Sequence, residues 1–344
     1  MSDGCENVER IKVSFVVIAL NAASSLDNLL KCLNEQTYDH ANIEVVLVDS
    51  NSQDSTKEKM LSFKESRNDF DRVVVLDNPQ KTLPCGWNVA LKEVTGDAIL
   101  RVDAHTTFPE NFISLNVRDL NKGEDICGGK VVSIPANKDN WSATLNESEN
   151  SMFGGSFAAF RHAESARYVS TAAFAIYRKA VFDKVGYYNE LLTRTEDNEM
   201  HYRMKKAGYK FYYDPEIVSY RETRATLGKL LKQKYLNGYW IGRTLGVEPH
   251  CFSLYHFIPL LFVLAIVITA LMCLLGISWM FLLLWSTYGV VTIIMTIVAI
   301  IGSNSRNAFF SVLPVLFLLL HLGYGIGTII GIANIWKNQL KVKL

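Results

Sequence analysis

The sequence predicts an α/β domain built on a mostly parallel sheet flanked by helices, followed by a basic amphipathic helix and about three membrane-crossing helices. Three observations carry that expectation. Short apolar, β-branched runs alternate with helix-like stretches in the first part of the chain, the rhythm of βαβ units with right-handed crossovers in a doubly wound sheet. Charge is segregated: 20% of the 344 residues are charged and 49% hydrophobic, yet between residues 252 and 335 the only charged side chain is Arg306. That tail holds three apolar segments, near 257–275, 279–301 and 308–332, each about 20 residues long, the length that crosses the hydrocarbon of a bilayer.

Each element has its own signal. Residues 13–20 (VSFVVIAL) form a continuous apolar run, as expected of a strand buried on both faces. Ser24-Ser25 can cap a helix running through Leu33 and presenting Leu26, Leu29, Leu30 and Leu33. Residues 43–48 read as a second strand ending in Asp49, 55–63 as a helix, and 73–76 as a third strand. Residues 87–94 read as a helix and 98–102 as a fourth strand ending in Asp103. Ligands of such sheets bind beyond the carboxyl ends of the strands, where Ala19, Asn21, Asp49 and Asp103 fall. On this reading the α/β domain spans residues 1–220, a membrane-interface segment 221–250, the membrane helices 251–336 and a basic tail 337–344.

Composition narrows the function. A formal net charge of +1 excludes nucleic-acid binding driven by bulk charge. Six dispersed cysteines without a CxxC pair indicate neither a disulfide framework nor a zinc cluster and fit a reducing compartment. The polar start, MSDGCENVERIK, is not a cleavable signal peptide. Lys337, Lys341 and Lys343 place the C-terminus in the cytoplasm by the positive-inside rule, whereas three full crossings from a cytoplasmic domain place it outside. Pro314 and the glycines of GYGIG make the last segment the one expected to bend.

Three clusters carry chemistry. Arg101-Val102-Asp103-Ala104-His105 puts a carboxylate and an imidazole two residues apart at a strand end, where both can face one cation, Mn²⁺ or Mg²⁺. Asp49 and Asn21 stand at the ends of neighbouring strands, where an acid can accept hydrogen bonds from a base or ribose, while Asp54 serves as a helix cap. Arg194-Thr195-Glu196-Asp197 opens a helical stretch. Its acids either complement the helix dipole or include a general base for an acceptor hydroxyl. Arg101 either neutralises phosphate or pairs with a neighbouring acid. Trp87 reads as core, His201 as a solvated or partly packed helix position, and His162 and Arg167 flank a strand approaching the acceptor. Residues 221–247 hold Arg221, Arg224, Lys229, Lys232, Lys234 and Arg243 against Glu222, interleaved with Leu, Tyr and Trp. That pattern suits an anionic leaflet.

Taken in order, VSFVVIALN, EVVLVDSNSQDST, GWNVALKEVTGD, RVDAHT and RTEDNEMHYRMKKAGYKF resemble a family 2 glycosyltransferase of the GT-A fold. The branch that contains the succinoglycan-assembly glucosyltransferases shares the DAH form, and the match covers roughly residues 11–245. The resemblance implies a nucleoside-diphosphate sugar donor, a uridine diphosphate sugar first among them. It implies that Ala19, Asn21, Asp49, Arg101 and Asp103 line the donor site, and that Asp103 and His105 hold the metal. Asp197 would be the catalytic base, with Glu196 beside it. A lipid-linked acceptor, a polyprenyl-diphosphate saccharide at the cytoplasmic face, would meet Gln233, Trp240 and Arg243. Two departures matter: Asp49-Ser50 stands where the family often has paired acids, and residues 233–240 do not reproduce the Gln-X-X-Arg-Trp signature of processive synthases. Two other readings stay open, a polyprenyl-phosphate glycosyltransferase loading one sugar and a catalytically silent membrane-anchored binding module.

Overall fold

The computed structural model describes residues 10–155, 163–303 and 307–342, with side chains as far as residue 335. The chain divides into two units, residues 1–132 with 158–221 and residues 133–157 with 222–344.

In the first unit, every residue of strands β1 (Val13–Ala19) and β2 (Ile43–Asp49) is buried. A strand covered on both faces has no solvent side to alternate with, so its sequence reads as an unbroken apolar run. With β3 (Arg72–Asp77) and β4 (Ala98–Asp103) they form four parallel strands in the order β3-β2-β1-β4. Helices α1 (Ala23–Asn34), α2 (Thr56–Ser66) and α3 (Leu83–Glu93) make the crossovers.

The leucines expected on one face of α1 are all buried, but Ser24 and Ser25 do not cap it. The helix begins at Ala23 without a side-chain cap of its own. Its leading amides are satisfied from the next crossover instead: Ala22 N–H donates to Thr56 Oγ1 at 2.8 Å and Ala23 N–H to Asp54 Oδ2 at 3.1 Å. Asp54 also accepts the Thr56 amide at 3.1 Å, so one carboxylate serves the starts of two helices.

The rest of the sheet is mixed, in keeping with a mostly parallel sheet. The later elements of this region are β5 (Thr106–Thr107), α4 (Phe112–Asn121), β6 (Ile126–Ile134), β7 (Arg167–Val169), β8 (Ile176–Arg178), α6 (Lys179–Val185), α7 (Glu196–Lys206) and β9 (Phe211–Glu222), with α5 (Asn140–Asn150) in the second unit. Strand β8 pairs antiparallel with β4, and the order continues β8-β6-β9-β5, with β7 pairing β9. These antiparallel strands leave no separate signal in the sequence because of their length and exposure. Strand β8 has three residues, and β9 mixes buried with half-exposed positions, so neither yields an apolar run.

Two apolar cores cover the sheet. One gathers α1, α2 and α4 with Phe15, Leu100 and Val102; the other gathers α3, α6 and α7 with Val16, Ile18 and Ile99. Side chains along a strand alternate between faces. Arg101 and Asp103 therefore follow Ile99 onto the face packed by α3 and α7.

In the second unit, α5 precedes α8 (Leu227–Thr244), α9 (Ile258–Leu274), α10 (Trp279–Gly302) and α11 (Leu313–Val342). Three helical spans are long and apolar enough to cross a membrane, Leu254–Leu274, Trp279–Gly302 and Ala308–Ile335. Helix α11 runs from Leu313 to Val342 without interruption, with Pro314 in its first turn. Its glycines permit close packing. A Cβ on Gly327 would overlap the Tyr235 carbonyl, and one on Gly331 the Tyr239 carbonyl. Reciprocally, a Cβ on Gly238 or Gly242 would overlap the carbonyls of Tyr324 and Thr328. Two Gly-X-X-X-Gly pairs thus bring α8 and α11 into backbone contact, the arrangement small residues allow between apolar helices. Lys234, read from the sequence as a leaflet-facing cation, lies on the buried side of α8 at 8% exposure, while Lys229 and Lys232 are exposed.

Candidate active site

Ala19, Asp49 and Asp77 form one row of the parallel register, and Asp103 stands opposite Ile18, one step earlier. The strand order reverses between β1 and β4, which opens a crevice at their carboxyl ends. Asn21, just past β1, adopts φ 51, a left-handed conformation that asparagine tolerates. Its Oδ1 accepts the Gln53 amide at 2.8 Å, and its own N–H donates to Ser52 Oγ at 3.0 Å. Asp49 is buried, and its carboxylate accepts the Ser52 amide at 3.2 Å. The loops after β1 and β2 are thereby tied into one rim.

Ser50, where paired acids are common in the family it resembles, is engaged within the protein: Asn78 Nδ2 donates to its Oγ at 2.9 Å and to the Thr82 carbonyl at 2.8 Å. Asn78 escaped the sequence reading. Register finds it, because it follows Asp77 in the row that holds Ala19 and Asp49. Its Oδ1 is buried without a partner, as is Glu196 Oε2. Orphaned buried acceptors of this kind call for an explanation, of which an absent ligand or water is one.

Arg101 pairs with a neighbouring acid, one of its two alternatives. Its Nη2 donates to Glu196 Oε1 at 3.1 Å, with the two side chains 12% and 3% exposed. The guanidinium lies 5.1 Å from the Trp87 ring centroid and 5.7 Å from that of Tyr188. Helix α7 is steered here by its apolar positions, since Met200 and Met204 enter the same core as Trp87. Burial pushes the Glu196 carboxyl well above its ordinary range; the neighbouring Asp197 carboxylate adds to the rise and Arg101 opposes it. Glu196 is thus committed to the helix–sheet junction.

Asp197 is half-buried, one residue along the first turn of α7, and its Oδ1 accepts the Asn198 amide at 2.8 Å. Burial raises its pKa, Arg101 lowers it, and Asp103 raises it again. Packing of α7 against the face of β4 that bears Asp103 puts both acids on one side of the sheet. Asp103, the last residue of β4, and His105, in the tight turn that follows it, are both half-buried. No group of three or more His, Cys, Asp or Glu gathers as a metal site among the described residues. One carboxylate oxygen and one imidazole nitrogen fall short of the coordination number of Mn²⁺ or Mg²⁺. A cation held by these two side chains would take its remaining positions from ligand oxygens.

Other sequence-derived candidates fall elsewhere. Trp87 is core, as read. Asn88 holds the loop before α7, accepting the Tyr188 amide at 2.8 Å and donating to Glu190 Oε1 at 2.8 Å. His201, read as a solvated or partly packed position, is instead 3% exposed. Arg167 is exposed and bonded to Ser165 at 2.8 Å, and His162 lies outside the described residues. Gln233, Trp240 and Arg243 belong to the second unit, where Gln233 Oε1 accepts from Arg224 Nε at 3.0 Å. At 100° per residue these three fall on the side of α8 opposite Lys234, Gly238 and Gly242.

An α/β sheet carrying acids at its switch point and a further acid at the first turn of a docked helix has the form of a nucleotide-sugar-dependent transferase fold. Comparison with known proteins agrees. Residues 14–186 match the family described as Glycosyl transferase family 2, and the chain belongs to that family of glycosyltransferases. It is 28% identical over 238 residues to the succinoglycan biosynthesis protein ExoA of Rhizobium meliloti (strain 1021), covering 68% of this chain and 70% of that one. It is 24% identical over 331 residues to the dolichyl N-acetyl-alpha-D-glucosaminyl phosphate 3-beta-D-2,3-diacetamido-2,3-dideoxy-beta-D-glucuronosyltransferase of Methanococcus voltae, covering 91% and 96%. Among solved structures, the mannosyltransferase PcManGT of Pyrobaculum calidifontis, in complex with GDP-Man and Mn²⁺, superposes with a TM-score of 0.57 at 15% identity. That match covers 93% of this chain and 87% of that one, and the shared architecture is the GT-A fold.

Proposed function

We propose that this chain moves one sugar, with inversion at the anomeric carbon, from a nucleoside-diphosphate sugar to a lipid-linked saccharide at a membrane. The observation that carries the reading is the seating of α7, which brings Asp197 to the face of β4 that bears Asp103. Asp197 accepts the proton of the acceptor hydroxyl as that oxygen bonds to the anomeric carbon and the bond to the diphosphate breaks. Arg101 and Glu196 hold the helix that presents it. Asn21 and Asp49 shape the nucleotide rim, with Ala19 at the strand end. A divalent cation, Mn²⁺ or Mg²⁺, held by Asp103 and His105 would neutralise charge gathering on the leaving diphosphate.

The donor class is supported by the GDP-Man and Mn²⁺ of the mannosyltransferase complex, and the acceptor class by the relatives' names, one in succinoglycan biosynthesis and one acting on a dolichyl-linked sugar phosphate. Gln233, Trp240 and Arg243, sharing one side of α8, are the residues assigned to the acceptor. The catalytic unit lies on the cytoplasmic side. A single transfer is favoured over processive polymerisation because the Gln-X-X-Arg-Trp signature is not reproduced at residues 233–240.

The test is transfer by the purified full chain in detergent, with Mn²⁺ and a panel of radiolabelled uridine and guanosine diphosphate sugars. Acceptors are a polyprenyl-diphosphate-linked saccharide and, separately, polyprenyl phosphate. Turnover on the saccharide with inverted anomeric configuration is expected, as is its loss in Asp197→Asn. Transfer to polyprenyl phosphate alone would replace the acceptor assignment, and full turnover by Asp197→Asn would remove the base.

A further inference from the structure

The helix that carries Asp197 is fastened at a second point, inside the core. His201 stands four residues after Asp197, so the two lie one turn apart along neighbouring rows of α7. Both of its ring nitrogens are used. Nδ1 lies 2.7 Å from Thr171 Oγ1, and Nε2 lies 2.9 Å from the Tyr177 hydroxyl. The ring packs at 4.6 Å from that of Phe211 on β9. Burial holds the imidazole in its neutral form, its pKa brought down to about 3, with Arg101 and Lys205 adding to the effect. A neutral imidazole has one donor and one acceptor, and each hydroxyl can take either role, so the three groups satisfy one another in either tautomer.

Thr171 and Tyr177 bracket the loop 171–175. Strand β8 runs antiparallel to β4 with Leu100 opposite Ile176, and the Arg101 amide donates to the Ala175 carbonyl at 3.0 Å. Ala175, the last residue of the loop, is thereby fastened to Arg101, two residues before Asp103. Two features show that the loop is held in one shape. Phe174 adopts φ 49, a left-handed conformation that a bulky side chain keeps only where its surroundings impose it. Beneath it, a Cβ on Gly128 of β6 would come to 3.0 Å from the Cβ of Ala172 and 3.3 Å from that of Ala175.

We propose that His201 is a positioning residue: by joining Thr171 and Tyr177 it fixes the helix that presents Asp197 and the loop hydrogen-bonded to Arg101 in one mutual arrangement. The proposal rests on the assignment of Asp197 as the base. It requires no change of charge on His201, so it predicts no new titration in the activity profile between pH 6 and 9.

The test uses the full chain in detergent and three variants, Thr171→Val, Tyr177→Phe and His201→Phe. Each removes a hydrogen-bonding group while keeping most of the volume. Amide exchange read by mass spectrometry is expected to speed up at least tenfold across residues 171–175 in Thr171→Val and to change less than twofold in β4. Turnover, measured with the nucleotide sugar that the donor panel identifies, is expected to fall at least tenfold with donor KM within twofold. The double variant Thr171→Val/His201→Phe is expected to lose no more than His201→Phe alone, because both break one link. If His201→Phe does not fold, Thr171→Val and Tyr177→Phe still decide the matter. Exchange at 171–175 within twofold of wild type, or turnover above half of it, overturns the proposal. Full turnover by Asp197→Asn overturns the base assignment instead.

Discussion

Replacing Arg101 by methionine keeps an extended side chain between Trp87 and Tyr188 but removes the cation that faces Glu196. The pair is nearly dry, with side-chain exposures of 12% and 3%, so the loss cannot be made up by solvent. Leaving one partner of a buried ion pair uncompensated costs about 3–5 kcal/mol. The lost attraction between the guanidinium and the two rings accounts for about 1–2 kcal/mol more. The carboxylate has an escape, however. Burial already raises the Glu196 pKa, and without Arg101 to oppose it the rise is larger. A carboxyl raised in the folded state binds its proton more readily folded than unfolded, so its contribution to stability is complete at low pH and is lost as pH rises through the folded value. Arg101→Met is therefore expected to be mildly destabilised, by the ring term alone, near pH 5.5, and to show the full deficit near pH 9. Urea or thermal unfolding of the detergent-solubilised chain across that range reads the difference. Adding Glu196→Gln removes the carboxylate, so the double variant should recover most of the high-pH loss and show little dependence on pH. A deficit of equal size at every pH, or one that the second substitution fails to relieve, would refute the assignment of Glu196 as a buried, proton-seeking partner of Arg101.

Other expectations follow from the same geometry. His105→Ala should weaken the binding of Mn²⁺ together with uridine diphosphate at least tenfold by calorimetry, while leaving the melting temperature within about 2 °C; an unchanged titration argues against the imidazole as a ligand. Gly331→Leu should destabilise the second unit by about 1–3 kcal/mol or more, since the side chain must displace the Tyr239 backbone, and a melting temperature equal to wild type would contradict the backbone contact. Gly129→Ala should likewise lower stability, because its Cβ would overlap the Ile217 carbonyl across the sheet. Asn78→Ala should loosen the strand-end rim, seen as faster amide exchange around Ser50 and Thr82; protection equal to wild type would show that the rim does not depend on it.

What the sequence revealed divides along physical lines. Strands β1 and β2 and the leucine face of α1 were legible because full burial on two faces leaves an unbroken apolar run and burial of one helical stripe a periodic one, while half-exposed β3 was legible from Val73, Val74, Val75 and Leu76. Asp49 and Asp103 were legible because a strand end is where such a record stops. The three helices long and apolar enough to cross a membrane were legible from length and absence of charge. The partnership of Arg101 with Glu196 was not, since it joins residues 95 apart through a docking that only Met200 and Met204 betray in the otherwise polar stretch EDNEMHYRMKK. The same polarity hid the burial of His201, whose partners are two hydroxyls rather than an apolar neighbour. Lys234 was misjudged because the sequence shows a cation among aromatics, while its side of the helix is set by glycines four residues apart, which carry no hydropathic signal. Ser24 and Ser25 looked like caps on local grounds, yet Asp54 and Thr56, distant in sequence, take the amides first.

The glycine contact between α8 and α11 has a consequence for how this basic helix stays where it is. A peripheral segment held only by its lysines and arginines detaches when ionic strength is raised, because attraction between charges and headgroups is screened within a Debye length. Here the grip is steric: backbone rests on backbone through paired glycines. Concentrated salt that strips electrostatic adherents from vesicles should leave α8 seated, with its outward residues held at a constant azimuth whatever lipid surrounds them.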